Sequence, residues 1–166
     1  MIILPKTKEI DESIYNFLEK FDYYPDVLLH TDFAYYPDEE LITYCFVISK
    51  KHDEWFAEYL RDVKHFQYWD SEMWLLSFFH ELGHYNTMYL FSNKELKDYY
   101  QLKEIGIDDK EGYFRYFKHP VEDAATTWAI NFINAHDVEI EEWWNNDLAP
   151  KINEFLTTCG MDTSAE

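Results

Sequence analysis

Five consecutive residues, His80-Glu81-Leu82-Gly83-His84, have the form H-E-x-x-H. On a helix, residues four apart lie about 40° apart around the axis and one turn along it. Both imidazoles then point the same way and can grip one cation. Glu81 lies about 100° round from His80, where it can reach a water on the metal without being a ligand. Neutral imidazole suits zinc, and a carboxylate completes a three-ligand set with one position left for water. Zinc lowers the pKa of such a water to about 7, and a nearby glutamate can take its proton. The alternative is a pair of surface or hydrogen-bonded core histidines.

A third ligand must come from elsewhere in the chain. His119, Glu122 and Asp123 stand together at the start of a later helical stretch. Glu122 is preferred because Ala125 and Ala129 follow it at three and seven residues, on the same face. Small residues there let this helix approach the one carrying the histidines. Glu122 could instead only complement the positive end of its own helix. Asp123 is an alternative ligand, or an acceptor for the free N–H of a ligating histidine. Tyr113 and Tyr116, on the segment leading to Glu122, are candidate donors to an oxyanion or to substrate. Tyr85, Tyr89 and His119 are further candidate donors, and Arg115 could bind a substrate carboxylate.

Periodicity sets out the elements that must position these groups. Ile14, Phe17, Leu18 and Phe21 recur at helical spacing within residues 10–21. Residues 2–4 form a candidate short strand stopped by Pro5. Residues 27–30 and 41–49, rich in β-branched and aromatic types, read as strands joined through a Tyr36-Pro37-Asp38 turn. Residues 54–63 read as helical. The helix bearing the motif is expected from Ser71, a candidate N-cap, to Phe91; being apolar nearly all round, it belongs at the centre of the fold. Residues 93–105 form another helix ending near Gly106, and 107–118 a polar connection. His119-Pro120 starts a helix reaching Ala135, since proline is tolerated in a first turn. Residues 138–158 are helical with a break near Asp147, before Pro150. The fold class is therefore α+β: a single domain over residues 1–166, mostly helical, with a small N-terminal sheet packed on the motif helix.

The chain has 166 residues, 47% hydrophobic and 20% aromatic, with only 4 glycines and 5 prolines, so it can bury a substantial core. A net charge of −19 argues against binding phosphate backbones or anionic membranes and favours steering of basic partners. Cys45, in an apolar stretch, reads as a buried free thiol, and two cysteines without secretory signs suggest a reducing compartment. Met1-Ile2-Ile3-Leu4-Pro5 is too short for a signal-peptide core, so the expected location is the cytoplasm. The acidic stretch 137–147, with Trp143-Trp144 inside it, either docks a basic partner or is a terminal helix burying its tryptophans.

His80-Glu81-Leu82-Gly83-His84 followed by Glu122-Asp123-Ala124-Ala125-Thr126-Thr127-Trp128-Ala129 resembles the gluzincin pattern HExxH … ExxAxxFA of ImmA/IrrE-type metallopeptidases. The resemblance implies a zincin-like fold, zinc held by His80, His84 and Glu122, and Glu81 as catalytic base. It further implies cleavage of a specific regulatory protein. The expected function is thus a zinc-dependent intracellular endopeptidase acting on a peptide or protein substrate. The competing expectation, motivated by the charge, is an acidic zincin-fold decoy that occupies a basic or nucleic-acid-binding partner without catalysis.

Overall fold

A computed structural model describes residues 7–46, 50–67, 73–105 and 107–159. Its axis is helix α3 (Met73–Thr87), which buries Leu75, Phe78, Phe79 and Leu82 completely and continues as a 3-10 turn over Met88–Leu90. Each such side chain contributes about 1.5–3 kcal/mol on burial. No face of α3 is left to solvent along most of its length, as its all-round apolar sequence requires. Ser71, the expected N-cap, lies outside the described residues, as do residues 2–4 and Gly106.

Helix α1 (Lys8–Glu19) seals one side of the core with Ile10, Ile14, Phe17 and Leu18, a 4-3-1 spacing that keeps one stripe inward. A three-stranded sheet follows, with strands β1 (Asp26–Leu29), β2 (Ala34–Tyr36) and β3 (Leu41–Tyr44) in the spatial order β1-β3-β2. β1 runs parallel to β3, pairing Val27 with Ile42; β2 runs antiparallel to it, pairing Tyr35 with Ile42. The Tyr36-Pro37-Asp38 turn therefore joins β2 to β3, correcting the expectation that it joins the segments at 27–30 and 41–49 directly. β2 has only three residues, too few to carry a visible alternation in the sequence. β3 also ends at Tyr44, earlier than expected; residues 47–49 lie outside the described residues. The sheet packs on α3, with Trp74 meeting Phe33 and Tyr44 and with Tyr35 against Tyr85.

Helix α2 (Lys50–Asp62) starts four residues earlier than its apolar pattern indicated. Helix α4 (Asn93–Ile105) has the expected bounds. The expected polar connection at 107–118 is instead largely helix α5 (Lys110–Phe117). The Asp109 carboxylate caps it by accepting the Gly112 N–H at 2.7 Å, and Tyr113 and Phe117, four apart, are buried beside α2. The charged run 108–111 masked that cap. Helix α6 (Pro120–Ala135) lies along α3.

Helix α7 (Asp137–Trp143) passes through a π-helical turn at Trp144–Leu148 into α8 (Ala149–Thr158), which tolerates Pro150 in its first turn. The expected break near Asp147 is thus a widened turn. Trp143 is buried, stacking on Phe17 with ring centroids 4.0 Å apart and donating its Nε1–H to Ser13 Oγ at 3.0 Å. It fastens the terminal helices to α1 and is not presented to a partner. Among the described residues no helix is long and apolar enough to cross a membrane. The architecture is mostly helical with one small sheet, an α+β arrangement at this level.

Candidate metal centre

Close approach of α3 and α6 creates the site. At Gly83 a Cβ would sit 2.3 Å from the Ala125 carbonyl oxygen and 2.9 Å from its C and Cα, so only glycine allows the two backbones to touch. Ala125 and Ala129 are buried on the same face of α6. The expectation that Ala125 and Ala129 permit the approach is half the explanation; Gly83 inside the motif supplies the other half.

The contact aims Glu122 at both histidines. Glu122 Oε2 lies 2.7 Å from His80 Nε2 and 3.2 Å from His84 Nε2. All three side chains are buried, with exposures of 5%, 4% and 2% for His80, His84 and Glu122. Burial alone would raise the Glu122 pKa, but the His84 and His80 imidazoles outweigh it and hold the carboxyl well below the usual range. His80, His84 and Glu122 form a group able to hold a metal ion, with ligand atoms all within 4.8 Å of one another.

Proton counting sharpens the fit. Thr126 Oγ1 lies 3.0 Å from the Glu122 carbonyl oxygen, to which it donates, and 3.1 Å from His80 Nδ1. A hydroxyl has one proton, so His80 Nδ1–H is the donor in the second bond. In neutral His80 the Nε2 lone pair then faces a carboxylate oxygen, a repulsive contact unless a cation or a proton lies between them. Tetrahedral coordination with bonds near 2.0–2.1 Å separates ligand atoms by about 3.3 Å. The His84 distance already matches, and the His80 distance must open by about 0.6 Å. The buried His84 Nδ1 has no hydrogen-bond partner among the described residues.

Glu81 lines the same cavity, which measures about 250 Å³, but is not part of the three-residue group. Burial pushes its carboxyl up to about 7; His80 lowers it and the Glu122 charge raises it. Tyr113, Tyr116 and Phe117 also line this cavity. Burial first, then neighbouring carboxylates, raise the pKa of Tyr113 and Tyr116, so both phenols keep their protons at neutral pH.

No family model, curated protein or solved structure matches this chain.

Two candidate ligands from the sequence fall elsewhere. Asp123 does not join the cluster: its carboxylate accepts from Lys64 Nζ at 2.7 Å, and the same ammonium donates to Thr127 at 2.8 Å. Next to Glu122 on α6 it is turned about 100° away, which adjacency in sequence conceals. His119 is not in the cluster either; it is the N-cap of α6, its Nδ1 accepting the Val121 N–H at 3.2 Å. Arg115 pairs loosely with Glu111 on the surface of α5. Conversely, Thr126 and Tyr99 were missed. Thr126 stands four residues after Glu122, a spacing that could have revealed it. Tyr99 donates to Glu122 Oε1 and lies 2.9 Å from the Tyr116 hydroxyl; nothing in its local sequence marks it.

The cavity continues into a groove of about 1040 Å³ between β2 and α4. Asp32, Tyr35, Tyr100 and Lys103 line both spaces. Among the described residues β2 is an edge strand, with one side of its backbone not paired within the sheet.

Proposed function

We propose that this chain is a zinc-dependent hydrolase with a zincin-like fold, a peptidase of the gluzincin kind. The observation that carries the reading is the convergence of two imidazole nitrogens and one carboxylate oxygen from α3 and α6, with a separate glutamate in the same cavity. His80, His84 and Glu122 would hold zinc; bound there, it would supply a Lewis acid that lowers the pKa of water and polarises a carbonyl. Glu81 is the proton acceptor, and its raised pKa fits a group that takes a proton near neutral pH and passes it to a leaving amine. Tyr113, protonated and on the cavity wall, is the preferred donor to the developing oxyanion. Tyr116 is less suited, because Tyr99 spends its own proton on Glu122 and so accepts from Tyr116. The groove along β2 accommodates an extended polypeptide, which can add backbone hydrogen bonds to an edge strand.

Glu81→Gln provides the test. With zinc added, wild type should cleave members of a peptide library, and the variant should bind zinc equally while losing cleavage. Cleavage retained by Glu81→Gln defeats the assignment. The charge of −19 favours a second reading, an acidic decoy for a basic partner. On that reading Glu81→Gln retains full biological activity and partner binding weakens steeply with salt.

A further inference from the structure

Helix α4 forms one wall of the groove, yet Tyr99 is its one buried residue, only 2% exposed. Its ring sits in a small cluster with Met88 and Val121, apart from the main core. Its hydroxyl donates to Oε1 of Glu122, the oxygen that does not face the histidines. A buried carboxylate without that donor would keep an unpaired oxygen and be free to turn about its last torsion. Pinned at Oε1, Glu122 presents Oε2 alone. Behind it the Tyr116 hydroxyl donates to Tyr99 at 2.9 Å, directing the phenol proton forward.

We propose that Tyr99 is the positioning residue for Glu122, and that it ties the groove wall α4 to the metal centre. This rests on the metal reading above. With Oε1 held by Tyr99, Glu122 would offer a cation only Oε2, and the same Tyr99 bond fastens α4. The two events are therefore linked: ligation that holds Glu122 in place strengthens docking of α4, and undocking of α4 loosens the ligand by an equal factor. A partner that pulls on α4 would in this way weaken zinc retention.

The test measures zinc dissociation constants and amide hydrogen exchange over residues 93–105, with and without zinc, for wild type, Tyr99→Phe and Tyr116→Phe. Zinc should slow exchange across α4 in wild type. Tyr99→Phe keeps the ring, should lose about 10–100-fold in zinc affinity, and should leave α4 exchange insensitive to zinc. Tyr116→Phe should lose less affinity and keep the zinc-dependent protection. A role confined to packing would leave Tyr99→Phe like wild type in both readouts. If wild type binds zinc with α4 exchange unchanged, or if Tyr99→Phe matches wild type, the positioning role alone is overturned. If wild type binds no zinc, the metal reading falls and this inference with it. The wild-type exchange measurement decides the matter even if Tyr99→Phe does not fold.

Discussion

Gly83→Ala should disable the metal centre without touching a ligand. The added Cβ would sit 2.3 Å from the Ala125 carbonyl oxygen. An ordinary carbon–oxygen contact needs about 3.3 Å, so α3 and α6 must separate locally by about 1 Å. Overpacking of this kind costs about 1–3 kcal/mol, and the helix-propensity gain of alanine over glycine returns about 1 kcal/mol. The net loss, up to about 2 kcal/mol, corresponds to roughly 4–8 °C in Tm for a domain of this size. The larger consequence is at Glu122, one turn before Ala125. Metal–ligand distances tolerate about 0.2 Å, so a displacement near 1 Å should cost far more in zinc affinity than in stability. Thermal unfolding with and without zinc, together with zinc content of the purified protein, reads both effects. Ala125→Gly should not rescue the variant, because the obstructing atoms are backbone and remain. A Gly83→Ala protein with wild-type Tm and stoichiometric zinc at unchanged affinity would refute this account of the helix contact.

Asp123→Asn should keep stoichiometric zinc, whereas Glu122→Gln should lose it; metal analysis of the two proteins checks which carboxylate is the ligand. Thr126→Val removes the acceptor for His80 Nδ1–H and should weaken zinc binding about 10–100-fold, with Thr126→Ser restoring most of it in a competition titration. Burial raises the Asp53 pKa to about 6. The folded state therefore holds that proton more tightly than the unfolded chain, and stability from this residue falls as pH rises through about 4 to 6. Above that window the ionised carboxylate costs stability, by an amount that the partial exposure of Asp53 keeps modest. Asp53→Asn should accordingly stabilise the protein at pH 8, by an amount that shrinks towards pH 4; urea unfolding at several pH values would expose a flat difference if this is wrong.

Some of this protein was readable from one dimension because the relevant distances are short. The His80-to-His84 spacing aims two imidazoles together through helix geometry alone, and the all-round apolar character of α3 declares its central position before any neighbour is known. Pro120 and the alanines after Glu122 likewise announce a helix able to lie close to another. The four-residue spacing from Glu122 to Thr126 is a local signal of the same kind. The residues that escaped depend on contacts between segments far apart in the chain. β2 is a strand only because β3 offers it a partner, and α5 is stabilised by an Asp109 cap and by burial of Tyr113 and Phe117 beside α2. Glu122 and Asp123 are adjacent in sequence, and which of them faces the histidines follows from the rotation of α6 about its axis, set by the Gly83–Ala125 contact. Tyr99 lies 23 residues from Glu122 and meets it solely because α4 folds back across the site. Helix periodicity is a local property of the chain, but the rotation and docking of one helix on another are settled by packing, which no single stretch of sequence contains.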